Sequence, residues 1–304
     1  MTPEPAASLL AWFAHHGRST LPWRRNREPY AIVVSEFMLQ QTQVERVIPA
    51  FESFLERFPG FGALARGSRA DVLRAWKGLG YNGRAIRLHE LGRVVAGRSN
   101  GALPRDVASL RALPGIGAYT AAAVAAFAFD EDVIAVDTNV KRIVHRYRFG
   151  VEWPPKATGT ELAAEARRWL PPGSAYAFNS ALMDLGATIC TARTPRCLVC
   201  PLRRSCAAAP LEASRIAALA QAHRGRRSPQ ESVAFVRSTR YLRGRVIDRL
   251  RALAPEERIS LLDLESELSA AIEPHGSETF RRIVADLARE GALEETTGTV
   301  CLPH

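Results

Sequence analysis

Four of the chain's five cysteines, Cys190, Cys197, Cys200 and Cys206, fall within the single stretch CTARTPRCLVCPLRRSC. Thiols this crowded force the backbone into a tight loop around whatever they share. At 304 residues the chain is long enough to bury a core of its own. It has no need of the disulfide staples of small secreted domains. The start, MTPEPAASLLAWFAHHGRST, shows neither the basic region nor the long apolar core of a signal peptide. No apolar run approaches the roughly 20 residues of a membrane span. We therefore expect a reducing, cytoplasmic compartment, in which clustered thiols hold metal rather than pair. The spacing C-x6-C-x2-C-x5-C has one short knuckle where structural zinc sites usually have two. Spacing alone leaves open a tetrahedral zinc, a cubane iron–sulfur cluster and four unliganded thiols. Cys301 stands apart and reads as a small core residue.

Upstream of the cysteines the pattern is helical throughout. Ala6, Leu9, Leu10, Trp12 and Phe13 recur at helical spacing. PYAIVVSEFMLQQTQVERVIPAFESFLERFPG reads as two helices broken near Pro49. RADVLRAWKGLGYNGRAIRLHELGRVV predicts a helical pair around Gly78 and Gly80, and DVASLRALPGIGAYTAAAVAAFAF predicts helix, glycine turn, helix. DVIAVDTNVKRIVHRY starts like a strand and turns into a helix capped by Asp137. TELAAEARRWLP and AYAFNSALMDLGATIC are further helices. Without βαβ alternation, residues 1–210 are expected to form an all-α domain. Residues 211–232 read as a linker with some helix, and 233–304 as a second module. In that module two helical stretches precede a third, capped by Ser277 and stopped at Gly291, and a Thr-Gly turn joins two strand-like pieces. Helices followed by a hairpin are the pattern of a winged helix.

Three features carry chemistry. The net charge of +10 favours a polyanionic partner, nucleic acid before anionic membrane. In LPGIGAY, Gly115 and Gly117 allow a tight turn between helices, so backbone N–H groups can approach a phosphate without reading sequence. A plain helix–helix turn would have the same composition. Glu36 lies in AIVVSEFML, whose only polar members are Ser35 and Glu36. If buried, its carboxyl is raised toward neutrality and becomes a proton donor; if turned to solvent, it is ordinary. Asp137, as a helix N-cap, is expected to be held ionised, or to serve only as a cap. One neutral acid and one anion would suit cleavage of a glycosidic bond through an oxocarbenium-like transition state.

These motifs together resemble the helix-hairpin-helix DNA glycosylase superfamily, and within it the glycosylases that remove adenine opposite 8-oxoguanine. The resemblance runs from LPWRRNREPY through Cys206, about two thirds of the chain. Its ordered landmarks are SEFMLQQTQVERVIPAF, GLGY, LPGIGAYT, VDTNVKR and FNSALMDLGATIC followed by the cysteines. The resemblance implies a two-lobed helical domain and a [4Fe–4S] cluster on Cys190, Cys197, Cys200 and Cys206. It implies that Glu36 protonates the flipped adenine and that Asp137 stabilises the sugar cation or forms its adduct. Tyr119 falls where bifunctional relatives carry a Schiff-base lysine, which implies a monofunctional enzyme leaving an abasic site. Asn139 matches a residue hydrogen-bonding within the catalytic site. Gln41, Thr42 and Tyr81 match contacts to 8-oxoguanine, and Arg24 and Leu39 match contacts around the adenine. The implied partner is double-stranded DNA bearing an A:8-oxoguanine or A:G mispair, bound by a monomer in the bacterial nucleoid.

The chain departs from this pattern at three places. Ser180 stands where relatives often carry Gln or Glu beside the adenine, and Asn82 where a second Tyr is common. The last 70 or so residues read as a winged-helix-like module instead of the Nudix-like domain that usually checks for 8-oxoguanine. Two alternatives remain. A thymine or uracil mismatch glycosylase would share Tyr119, Asp137 and the cysteines, but has no purine nitrogen for Glu36 to protonate. A non-catalytic iron–sulfur protein that binds DNA or senses redox state would have no use for either carboxylate.

Overall fold

The computed structural model describes residues 4–98, 101–150, 158–209, 212, 218 and 235–303. The expected linker at 211–232 lies outside the described residues, apart from Glu212 and Ala218. The chain divides into two compact units, each made of two stretches: Met1–Glu36 with Leu103–Ser228, and Phe37–Ala102 with Pro229–His304.

In chain order the first helices are α1 (Glu4–His16), α2 (Pro22–Arg25), α3 (Pro29–Leu39), α4 (Val44–Arg57), α5 (Phe61–Arg66), α6 (Arg69–Ala75) and α7 (Gly83–Ala96). They are followed by α8 (Val107–Arg111), α9 (Ala118–Phe129), α10 (Thr138–Phe149), α11 (Gly159–Trp169) and α12 (Ala175–Thr188). No strand occurs among the described residues of 4–209, so the strand-like start expected near residue 133 is an extended segment without ladder partners. The break expected at Pro49 lies elsewhere. Pro49 sits inside α4, and the chain breaks at 40–43. Gln41 there takes a left-handed φ of 55°, which stops a helix, whereas Pro49 inside α4 removes one N–H bond without ending the helix.

In the first unit, one face each of α1, α10, α11 and α12 meets in a common core. Leu9, Val140, Val144, Ala166, Phe178, Leu182 and Leu185 are fully buried in it. Truncating such a residue to alanine costs about 2–5 kcal/mol. In the second unit Phe54 packs edge-on against Trp76, with ring centroids 5.9 Å apart. Gly92 lets α7 approach α5 closely, since a Cβ there would stand 2.9 Å from the Leu64 side chain.

The C-terminal residues add α13 (Thr239–Arg251), α14 (Leu261–Glu267), α15 (Ser269–Ile272) and α16 (Ser277–Arg289). A three-stranded antiparallel sheet, β1 (Ile259–Ser260), β2 (Glu294–Thr296) and β3 (Thr299–Cys301), runs in the order β1-β3-β2. Thr297 and Gly298 both take left-handed φ values, 47° and 75°, as a two-residue hairpin turn requires. Ser277 is not the cap expected of it. It is the first residue of α16, and Gly276 at φ 78° occupies the cap position without a side-chain bond. This module is fastened within its unit by the N–H of Ala70 donating to the Pro303 carbonyl (2.8 Å) and by Arg251 Nε donating to the Leu73 carbonyl (2.8 Å).

Candidate active site

Helix α3 is apolar on every side. Ala31, Ile32, Val33, Val34, Phe37 and Met38 are all buried, as in a helix enclosed by protein. Its polar pair is buried with them. Ser35 Oγ donates to the Ile32 carbonyl (2.8 Å), and Glu36 is only 8% exposed. Burial pushes the Glu36 carboxyl up to about 7. A hydrogen bond from Tyr119 lowers it and the Asp137 charge raises it, both by less than burial does. Tyr119, in the first turn of α9, has its own phenol raised by burial and by the same two carboxylates. Glu36, Tyr119 and Asp137 therefore form one electrostatic group.

Asp137 is the N-cap of α10. Its Oδ1 accepts from the Val140 N–H and its Oδ2 from Asn139 Nδ2, both at 2.7 Å. The extended segment before it is fastened by Asn179, fully buried in α12. Asn179 Oδ1 accepts from the Ala135 N–H (2.8 Å), and Nδ2 donates to the Val133 carbonyl (2.9 Å). On the other side Arg142 Nη2 donates to Asn139 Oδ1 (2.8 Å) and to the Gly186 carbonyl (2.9 Å). Gly186 is required by this contact, because a Cβ there would lie 2.6 Å from Asn139 Cβ.

The same guanidinium leads to the cysteine loop. Arg142 Nε donates to the Cys190 carbonyl (2.8 Å). Arg146, one turn on, donates to the Thr191 carbonyl (2.7 Å), the Ala192 carbonyl (3.0 Å) and, more weakly, Cys190 Sγ (3.4 Å). All four cysteines line one cavity with Ile143, Arg146 and Leu202. Burial pushes the Cys200 thiol up to about 12, and the other three thiols add to the shift. Among the described residues no three His, Cys, Asp or Glu side chains are grouped to hold a single ion. Four thiols lining one shared space are a donor set that fits an iron–sulfur group as well as a tetrahedral zinc.

The hairpin turn joins α8 to α9. Leu113 and Ile116 are buried beneath it, and Gly115 and Gly117 are exposed. The two glycines differ. Gly115 has φ 76°, which needs glycine, but Gly117 has φ −85° and a Cβ there would meet nothing within 4 Å. Of the two, only Gly115 is needed for the turn itself.

Arg24 is committed within the protein. It grips fully buried Asp184 with two bonds of 2.6 and 2.9 Å and reaches the carbonyl of buried Ser180 at 3.4 Å. Arg18 adds bonds of 2.9 and 2.7 Å to the same carboxylate and holds it below the usual range together with Arg24, against the opposing effect of burial. Leu39, Gln41, Thr42 and Tyr81 belong to the second unit. There buried Arg84 donates to the Met38, Leu79 and Gly80 carbonyls and to Thr42 Oγ1, at 2.9 to 3.1 Å. It thereby binds the loop after α3 to the loop bearing Tyr81, whose φ of 46° is left-handed. Asn82, the residue after it, accepts from Arg251 Nη2 (2.8 Å). Sequence reasoning missed Asn179, Asp184, Arg142 and Arg84. Of these only Asp184, an acid closing an apolar helical run, left a trace in the pattern.

The class of protein is defined by a family model described as HhH-GPD superfamily base excision DNA repair protein, which matches residues 34–172. The adenine DNA glycosylase of Mycolicibacterium smegmatis is 51% identical over 64% of this chain and 66% of that protein. The adenine DNA glycosylase of Mycobacterium tuberculosis is 41% identical over 82% of both. A solved thermostable thymine-DNA glycosylase aligns with TM-score 0.62 and 32% identity, over 67% of this chain and 94% of that one. The chain belongs to the adenine DNA glycosylase family of helix-hairpin-helix base-excision repair proteins.

Proposed function

We propose that this chain excises adenine opposite 8-oxoguanine or G in duplex DNA and leaves an abasic site. The observation that carries this proposal is the environment of Glu36, a buried carboxyl near neutrality beside Tyr119 and Asp137. A neutral Glu36 donates a proton to a ring nitrogen of the flipped purine. The bond from that base to C1′ then breaks, and its electron pair leaves with the base. Positive charge grows on the sugar, and Asp137 is the carboxylate available to stabilise it or bond to it. The bonds from Val140 and Asn139 fix that carboxylate in one orientation. Water completes the hydrolysis at C1′. Tyr119 offers no amine, so no Schiff base forms and the strand is not nicked.

Cys190, Cys197, Cys200 and Cys206 would hold a [4Fe–4S] cluster, which when bound cross-links the loop that Arg142 and Arg146 tie to α10. The positive charge of the chain and the exposed hairpin turn support duplex DNA as partner. With DNA as the partner, we place the activity on the bacterial nucleoid. The test is a panel of duplexes with A, T or U opposite 8-oxoguanine or G, incubated with enzyme and then cleaved with alkali. Strand breaks at A alone are expected. Breaks at T or U instead would make this a pyrimidine mismatch enzyme, and none at all would favour a non-catalytic iron–sulfur protein.

A further inference from the structure

The C-terminal module has no role in the chemistry above, yet it builds one side of a groove. This open groove of about 540 Å³ lies entirely within the second unit, between α13 and the loop of residues 78–83. Its charge is one-sided. Of its lining arginines, Arg243 pairs with Glu290 (2.6 Å) and Arg251 with Asp248 (2.7 Å). Arg46, Arg87, Arg240 and Arg245 are exposed and make no ion pair among the described residues.

Aromatic rings are interleaved with these charges. The Arg240 guanidinium lies over the Tyr81 ring, 4.0 Å from its centroid, and 5.7 Å from that of Phe235. Phe235 is 59% exposed and touches Tyr241 edge-on. Phe235 thus stands open beside four cations that make no ion pair among the described residues. Free arginines spaced along a groove suit successive phosphates, and exposed rings between them suit the face of an unstacked base. An acidic peptide would use the charges but not the rings.

We propose that this groove holds one strand of the DNA substrate, with Arg46, Arg87, Arg240 and Arg245 on its phosphates and Phe235 against a base. The C-terminal module is then a DNA-binding element that also sets the Tyr81 loop, through Arg240 above Tyr81 and Arg251 on Asn82. This deepens the function proposed above and rests on it.

The experiment is a fluorescence-anisotropy titration of the full chain against a 30-base-pair duplex carrying one A:8-oxoguanine pair, and against its fully paired counterpart, at several salt concentrations. Replacing Arg240 and Arg245 together by Ala should weaken binding roughly tenfold and flatten the salt dependence by about two phosphate contacts. Replacing Arg281 and Arg282 by Ala removes the same charge outside the groove and should change the slope by less than half as much. Phe235→Ala should weaken the mispaired duplex more than the paired one, with the salt slope unchanged. Equal effects of the two arginine pairs, or none from either, would overturn the groove. Excision by the unaltered chain, measured alongside, tests the enzymatic function separately. Its absence with the groove effects intact would sink the adenine chemistry and leave the groove standing.

Discussion

Glu36 is costly for the fold. Its carboxyl titrates near 4.5 in an unfolded chain and at about 7 in the native one. The native state therefore binds the extra proton between those values. The stability linked to that proton is fully present below 4.5 and is lost as pH rises through about 7. The loss is on the order of 3 kcal/mol. Glu36→Gln should accordingly raise stability at pH 8 by that order and leave it unchanged at pH 4, as read by urea unfolding. A burial penalty retained at one position is what a proton donor requires. Single-turnover excision by the wild type should be level below pH 7 and fall with rising pH as Glu36 loses its proton. Gly186→Ala should act at a distance, because its Cβ would press on Asn139 Cβ from 2.6 Å. We expect a loss of about 1–3 kcal/mol in stability and slower excision with DNA affinity nearly unchanged.

At the scale of elements, the hairpin turn separates two roles of glycine. Gly115→Ala forces a Cβ into left-handed backbone and should destabilise the fold by about 1–2 kcal/mol. Gly117→Ala meets neither strain nor neighbours within the chain. It should leave the melting temperature alone and weaken DNA binding for every sequence. Equal binding by both variants and wild type would remove the turn from the DNA surface. The cysteine loop makes its own prediction. Purified protein should carry about four irons, and Cys200→Ser should lose them along with DNA affinity; one zinc and no iron would contradict the cluster. Helices were legible where a buried face repeats, as in α10 and α12. The start of α4 was not legible, because a left-handed Gln41 leaves no mark in hydropathy while Pro49 suggests a break that the helix runs through.

At the scale of the whole molecule, Glu36, Asp137 and the cysteines stood out in the sequence through residue type and setting, whereas Tyr119 was singled out only through the family resemblance. The side chains that hold them did not stand out. Arg142 joins Asp137, through Asn139, to the backbone of Cys190, and Asn179 fixes the segment leading to Asp137. Both depend on contacts between helices distant in sequence, which no local pattern encodes. The pairing of residues 37–102 with 229–304 in one unit was equally hidden, since it rests on contacts between residues far apart in sequence, such as Ala70 with Pro303 and Arg251 with Leu73. What unites these layers is the claim that one buried acid delivers the proton. The most direct test is single-turnover excision of adenine opposite 8-oxoguanine by wild type and Glu36→Gln, with DNA binding measured in parallel. We predict near-equal binding and a rate lowered by roughly 10²–10⁴-fold in the variant. A variant that still removes adenine at close to the wild-type rate would make Glu36 a structural residue and contradict the mechanism.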